Sequence, residues 1–151
     1  MQTALRNSCA RKQKGAAAIE FAIVFIIFFG VFYGLVTYSL PLLMMQSFNA
    51  ATSEAVRRSV ALSPTINNYD SLVTSQARTV LTTQLSWMPG SLAFSPSDAT
   101  VTYVAGLLTV RIDYPKSKLT QVLPLLTLPF IGEVPRLPDN LSAQASLQLV
   151  P

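Results

Sequence analysis

The sequence contains no histidine and a single cysteine, Cys9. Without histidine there is no imidazole base, no histidine-based triad and no histidine metal ligand. One cysteine rules out an intrachain disulfide, so any fold stands on its core alone. Cys9 lies in a short basic segment ahead of the apolar stretch. That order excludes a lipoprotein role for it and leaves an incidental residue. There is no G-x-S-x-G and no phosphate-binding glycine loop, and five of the seven acidic residues lie singly through the outer part of the chain. Paired carboxylates for glycoside hydrolysis are absent from that pattern. Catalysis, a resident cofactor and a metal centre are therefore all set aside.

Charge is scarce too, at 12% of residues, while half the chain is apolar. That is too apolar for a disordered chain and lightly charged for a soluble domain. Four of the eleven basic residues (Arg6, Arg11, Lys12 and Lys14) fall before residue 16, with no acid among them. The remainder of the chain balances its charges. The net +4 thus belongs to the N-terminal segment, and no basic patch of the kind that follows a phosphate backbone is present. Nucleic acid is not an expected partner.

What the sequence has in plenty is one long apolar run. Residues 16–45 read AAAIEFAIVFIIFFGVFYGLVTYSLPLLMM, with Glu20 the only charge. From Phe21 to Met45 is about 25 residues, roughly 38 Å as a helix, enough to cross a bilayer core of about 30 Å with some tilt. The run exceeds the h-region of a secretory signal, about 7–15 residues. The preceding basic residues favour a cytoplasmic N-terminus and place the rest of the chain outside the cytoplasm. Gly30 and Gly34 form a G-x-x-x-G spacing that permits close approach of a second helix. Specific packing and simple tolerance both remain open for that pair. Pro41 removes one helical hydrogen bond and is expected to kink the helix near its outer end. A carboxylate inside the run is unfavourable to bury, so Glu20 calls for a partner.

Across the boundary the chain reads Arg11-Lys12-Gln13-Lys14-Gly15, then Ala16-Ala17-Ala18-Ile19-Glu20-Phe21-Ala22. A basic leader ends in glycine, a glutamate falls fifth after it, and an apolar helix follows. This resembles the type IV prepilin processing site. The resemblance implies that a prepilin peptidase cuts between Gly15 and Ala16 on the cytoplasmic side. It also implies that Glu20 pairs with the N-terminal amine of a neighbouring subunit and sets register in a filament. Secretion pseudopilins usually place phenylalanine first after the cut. Here G-A-A-A-I-E-F-A-I-V-F is similar to TadE-like proteins of the tight-adherence (Tad, Flp) pilus, which open G-x-A-x-V-E-F-A-L-V-L-P. Residues 46–60, QSFNAATSEAVRRSV, resemble the family's Q…A-A…E-A-A-R segment. The likeness spans residues 11–60. It departs where the family often carries a proline six residues after the glutamate, a position held here by Ile26. The chain is longer than the major Flp pilin, which points to a minor pseudopilin of TadE or TadF type.

Beyond the run, Phe48, Ala51, Ala55 and Leu62 share one helical stripe, so the helix continues until Ser63-Pro64 stops it. Arg57 and Arg58 are expected on a solvated face near Glu54. A second helix is expected from Asp70, as N-cap, to Trp87, with Val73, Ala77, Val80, Leu81 and Trp87 on its core face. Leu108, Val110, Ile112 and Tyr114 alternate with Thr109, Arg111 and Asp113 as a strand. A two-residue turn at Ala105-Gly106 would set Val101 opposite Val110 and Tyr103 opposite Leu108. Ala-Gly is not among the favoured primed turns, which leaves a longer loop open. Leu141, Ala143, Ala145, Leu147 and Leu149 alternate as a third strand. The proline-broken stretch 119–138 reads as an irregular loop over the sheet, packed on its own domain or offered to a partner.

The expected architecture is α+β: a leader (1–15), a transmembrane helix (16–45) and a small pilin-like extracytoplasmic domain (46–151) holding a second helix and an antiparallel three-stranded sheet. The expected function is that of a minor pilin-like subunit in assembly of an adhesive pilus. Its partners would be the prepilin peptidase, other pilin and pseudopilin subunits, the Tad secretion machinery and inner-membrane lipid. A single-span membrane-anchored periplasmic protein with a binding or scaffolding role also explains the helix and the outer domain, but leaves the Gly15/Glu20 spacing to chance.

Overall fold

A computed structural model describes residues 9–124, 126–128 and 132–149. The elements run α1 (Cys9–Ser59), α2 (Tyr69–Gln84), β1 (Ala99–Val104), β2 (Leu107–Pro115), α3 (Lys116–Leu119), β3 (Leu126–Leu128), β4 (Gly132–Val134) and β5 (Asn140–Gln148). The class is α+β, with a three-stranded antiparallel sheet in the order β1-β2-β5 and a separate β3-β4 pair. By compactness the chain divides at residue 37 into an N-terminal unit, 1–37, and a second unit, 38–151.

In the second unit the outer part of α1 is a core helix. Met44, Phe48, Ala51 and Ala55 are all but inaccessible to solvent, and they recur at spacings of four, three and four, one face of a 3.6-residue helix. Buried Thr52 and Ser59 do not leave orphan hydroxyls. Thr52 Oγ1 donates to the Phe48 carbonyl at 3.0 Å, and Ser59 Oγ to that of Ala55 at 2.8 Å. The helix closes at Ser59, about one turn before the expected stop, and turn hydrogen bonds from Ala61 and Leu62 carry the chain onward.

Helix α2 starts at Tyr69 behind Asn68, which holds φ 61°, a left-handed conformation that asparagine tolerates better than most residues. Asn68, not Asp70, is therefore the cap position. Val73, Ala77, Val80 and Leu81 are buried as the periodicity requires. Trp87 is not: it is 43% exposed. The helix ends at Gln84, so the 100° step that would have carried Trp87 to the core face is lost. Leu85, whose N–H donates to the Leu81 carbonyl at 3.0 Å, takes the buried place.

The sheet follows its alternation. Val101 pairs with Val110 and Tyr103 with Leu108, and the connection is the two-residue Ala105-Gly106 turn. Both turn residues have positive φ (50° and 79°), as a type I′ turn demands. Alanine in that region is unfavourable by about 1–2 kcal/mol. The end of β5 supports the turn: Gln148 Nε2 donates to the Ala105 carbonyl at 3.1 Å and the Leu149 N–H to the Gly106 carbonyl at 2.8 Å. Strand β2 is central, pairing β5 from Leu107↔Gln148 to Pro115↔Asn140. On β5 burial fades along the strand: Leu141 and Ala143 are buried, Ala145 half-buried and Leu147 exposed.

Fully buried Tyr114 joins the layers. Its ring lies 5.9 Å from that of Phe48, and its hydroxyl donates to the Leu92 carbonyl at 2.5 Å. Burial, reinforced by nearby Asp98, pushes the Tyr114 hydroxyl above its ordinary pKa. Within the stretch expected as an irregular loop, 119–138, residues 125 and 129–131 lie outside the described residues, and the rest includes strand structure. It holds the β3-β4 pair between Pro124 and Pro135, so the prolines flank the short strands and do not interrupt their ladder. Its Tyr38 contact is local to the second unit, where the Arg136 N–H donates to Tyr38 Oη at 2.8 Å.

Candidate functional site

The candidate site is the inner part of α1. Gly15, Ala16 and Glu20 all lie within the helix, which begins at Cys9, so the Gly15–Ala16 peptide is helical and not in a loop. Glycine is the weakest helix former after proline, by about 1 kcal/mol relative to alanine. Gly15 is thus the natural place for this helix to open. It is exposed, with open space where a Cβ would stand. Ala16 and Glu20, four residues apart, share a face about 6 Å apart along the axis. Glu20 is exposed, and no described residue pairs with it.

From Gly15 to Val36 every residue is exposed except Tyr33 and Gly34, which are half-buried. Among the exposed side chains are Phe21, Ile23, Val24, Phe25, Ile27 and Phe28, each more than half open. This is about 22 residues, roughly 33 Å of helix, close to the thickness of a bilayer core. Phe21, Phe25 and Phe29 stack in a ladder at centroid separations of 6.0 and 6.1 Å, and Phe28 stacks on Phe32 at 6.1 Å. At 100° per residue, Gly30 and Gly34 fall on the side of the helix away from Phe28 and Phe32. A Cβ at either glycine would meet nothing within 4 Å.

Burial begins at Thr37, whose hydroxyl donates to the Tyr33 carbonyl at 2.9 Å. Pro41 and Met44 are also buried. The expected membrane segment 16–45 therefore contains two kinds of surface: a bare apolar part up to Val36, and a part from Thr37 with residues that belong to a protein core. The sequence reading missed this because Leu, Met and Pro serve both settings. Pro41 remains inside the continuous helix.

Just beyond, Glu54 receives a fork from Arg57 (Nε to Oε2 and Nη2 to Oε1, both 2.7 Å) and a third bond from Arg58 Nε at 2.6 Å. The Arg57 and Arg58 guanidiniums hold the Glu54 carboxyl down at about 2, from an ordinary 4.5. As expected for a solvated face, the three charges satisfy one another. Among the described residues no cluster of metal-ligating side chains occurs.

A single apolar helix of this length, carrying an α+β domain, fits a single-pass membrane anchor. Residues 15–57 match the family model of the TadE-like protein, and the similarity is confined to that segment. The matched segment starts at Gly15 and ends at Arg57, so it takes in Glu20 and the Glu54–Arg57 pair. No curated protein and no solved structure matches the chain.

Proposed function

We propose that this chain is a minor pilin-like subunit of a Tad-type pilus, acting through assembly and not through chemistry. The observation that carries the reading is the union of Gly15, Ala16 and Glu20 with a bare apolar helix of bilayer length inside a TadE-like segment. In this reading residues 1–15 are a leader, and residues 16–36 face lipid before assembly. The domain from Tyr38 onward stands on the outer side of the inner membrane. The basic residues ahead of Gly15 hold the N-terminus in the cytoplasm. A prepilin peptidase opens the helix at Gly15 and frees the Ala16 amine.

Glu20, exposed and without a pairing partner among the described residues, then has a task in assembly. A carboxylate on a helix otherwise surrounded by hydrocarbon is unfavourable, by about 2.5–3.5 kcal/mol for a central acid and less near the interface. An amine from a neighbouring subunit relieves that cost at only one axial position. The pair would therefore act in register more than in net stability. Gly30 and Gly34 offer the flat face on which another pilin helix can approach closely. The Tad secretion machinery, other pilin and pseudopilin subunits and lipid are the partners this reading requires.

The test is Glu20→Val in a strain whose pili depend on this subunit. The variant should insert in the membrane at the normal level and fail to support surface pili. Normal piliation would remove the pairing role from Glu20.

A further inference from the structure

Away from the apolar helix, the second unit carries a cleft of about 300 Å³ between the end of α2 and the 85–99 segment. Its walls are apolar: Leu81, Leu85, Met88, Pro89 and Phe94 contribute. One charge lies in the lining, Arg78, and it is exposed. Arg57, Arg58, Arg111, Lys116 and Lys118 each sit on a carboxylate. Arg78 meets none among the described residues. Ser86 and Met88 line the cleft, and between them in sequence stands Trp87, 43% exposed.

An apolar recess, an uncommitted arginine and an accessible tryptophan are the ingredients that dominate protein-binding energetics. The volume is at the lower end for ligand sites and suits one large side chain better than a drug-sized molecule. We propose that this cleft docks a segment of a partner protein in which an apolar side chain enters the recess beside a carboxylate that meets Arg78. The charge favours an acidic segment over a basic or neutral one. A basic or neutral segment would leave the guanidinium unmatched, and a carboxylate gains a charge-assisted bond. This inference stands whether or not the chain belongs to a pilus.

The test uses the full chain in lipid nanodiscs built with a tryptophan-free scaffold. Trp87 is the chain's one tryptophan and stands in sequence between two lining residues, Ser86 and Met88. The probe peptides are acetyl-Phe-Glu-Leu-amide, its Gln analogue, acetyl-Ala-Glu-Ala-amide, and hexanoate as a small amphiphile. The Glu peptide should saturate the Trp87 emission change and bind about 3- to 10-fold tighter than the Gln analogue. Replacing both its apolar side chains by Ala, as in the Ala-Glu-Ala peptide, should weaken binding at least about tenfold. Arg78→Gln, at an exposed position, should keep the far-UV spectrum and bring the Glu and Gln peptides to within about twofold. Equal binding of the Glu and Gln peptides to the unaltered chain, or no saturable response, would overturn the proposal. Hexanoate binding as tightly as the Phe-Glu-Leu peptide would overturn the peptide assignment in favour of a small-amphiphile pocket.

Discussion

Helix α1 passes through two environments with one unbroken backbone, and the contrast between its halves separates apolarity from burial. From Gly15 to Val36 the exposed surface is apolar apart from Glu20, with phenylalanines stacked along it. From Met44 to Ser59 the apolar residues narrow to a stripe through Met44, Phe48, Ala51 and Ala55, while Gln46, Asn49 and Ser53 stay exposed; between the two parts Leu42 and Leu43 are still exposed. A helix apolar on every side asks for hydrocarbon; a striped helix asks for a protein core. The change from a bare apolar helix to a core helix is therefore written in the periodicity, and apolar Leu42 and Leu43 carry high hydropathy across the stretch between.

The sharpest way to break this contrast is to apply the same truncation on each side. Phe48→Ala, beneath Phe94 and Tyr114, should destabilise the domain by about 3–5 kcal/mol in a denaturant titration followed by Trp87 emission. Phe25→Ala should leave that midpoint within about 0.5 kcal/mol, because Phe25 is half exposed and its ring partners, Phe21 and Phe29, lie on the same helix and not in the domain core. A comparable loss from both would mean that the inner half is also part of the core.

The next largest effect probes the membrane side. Ile27→Lys, near the middle of the bare run, should raise the apparent insertion free energy by about 2.5–3.5 kcal/mol in a glycosylation-mapping assay. A smaller effect belongs to the hairpin. Ala105→Asn puts the favoured Asn-Gly pair at two positive-φ positions and should stabilise the domain by about 0.5–1 kcal/mol. The smallest is electrostatic. Glu54 has a depressed folded pKa, so its contribution is present above the unfolded value of 4.5 and is lost as pH falls toward about 2. Asp113, held below its usual range by Arg111 and then by Ser142, titrates in the same sense. Stability should decline over that acid window, and Glu54→Gln should flatten the decline slightly, as measured by thermal midpoints between pH 5 and pH 2.

Much of the domain was legible because its signals are local. Leu108 through Tyr114 alternates without interruption, and that strand became the sheet's centre. Register followed from the turn, even with an alanine where asparagine is preferred, since the tail of β5 bonds back to Ala105 and Gly106. Trp87 was misread because its inward position depended on α2 continuing past Gln84, and helix ends respond to tertiary contacts that a pattern does not encode. The β3-β4 pair was missed because Leu126–Leu128 and Gly132–Val134 are too short to show a period. The Arg78 cleft was invisible for another reason: it joins residues from α2 with the 88–99 segment, and nothing in either stretch announces the other.

The central claim is that the bond between Gly15 and Ala16 is cut and that Ala16 begins the mature subunit. The most direct measurement is the N-terminal sequence, with intact mass, of the protein taken from its native membrane. The account expects a start at Ala16, and loss of that start when Gly15 is replaced or the prepilin peptidase is deleted. A start at Met1 in cells with an active peptidase would contradict it and leave a plain single-span anchor. A start well past Met45 would show the apolar helix to be a secretory signal.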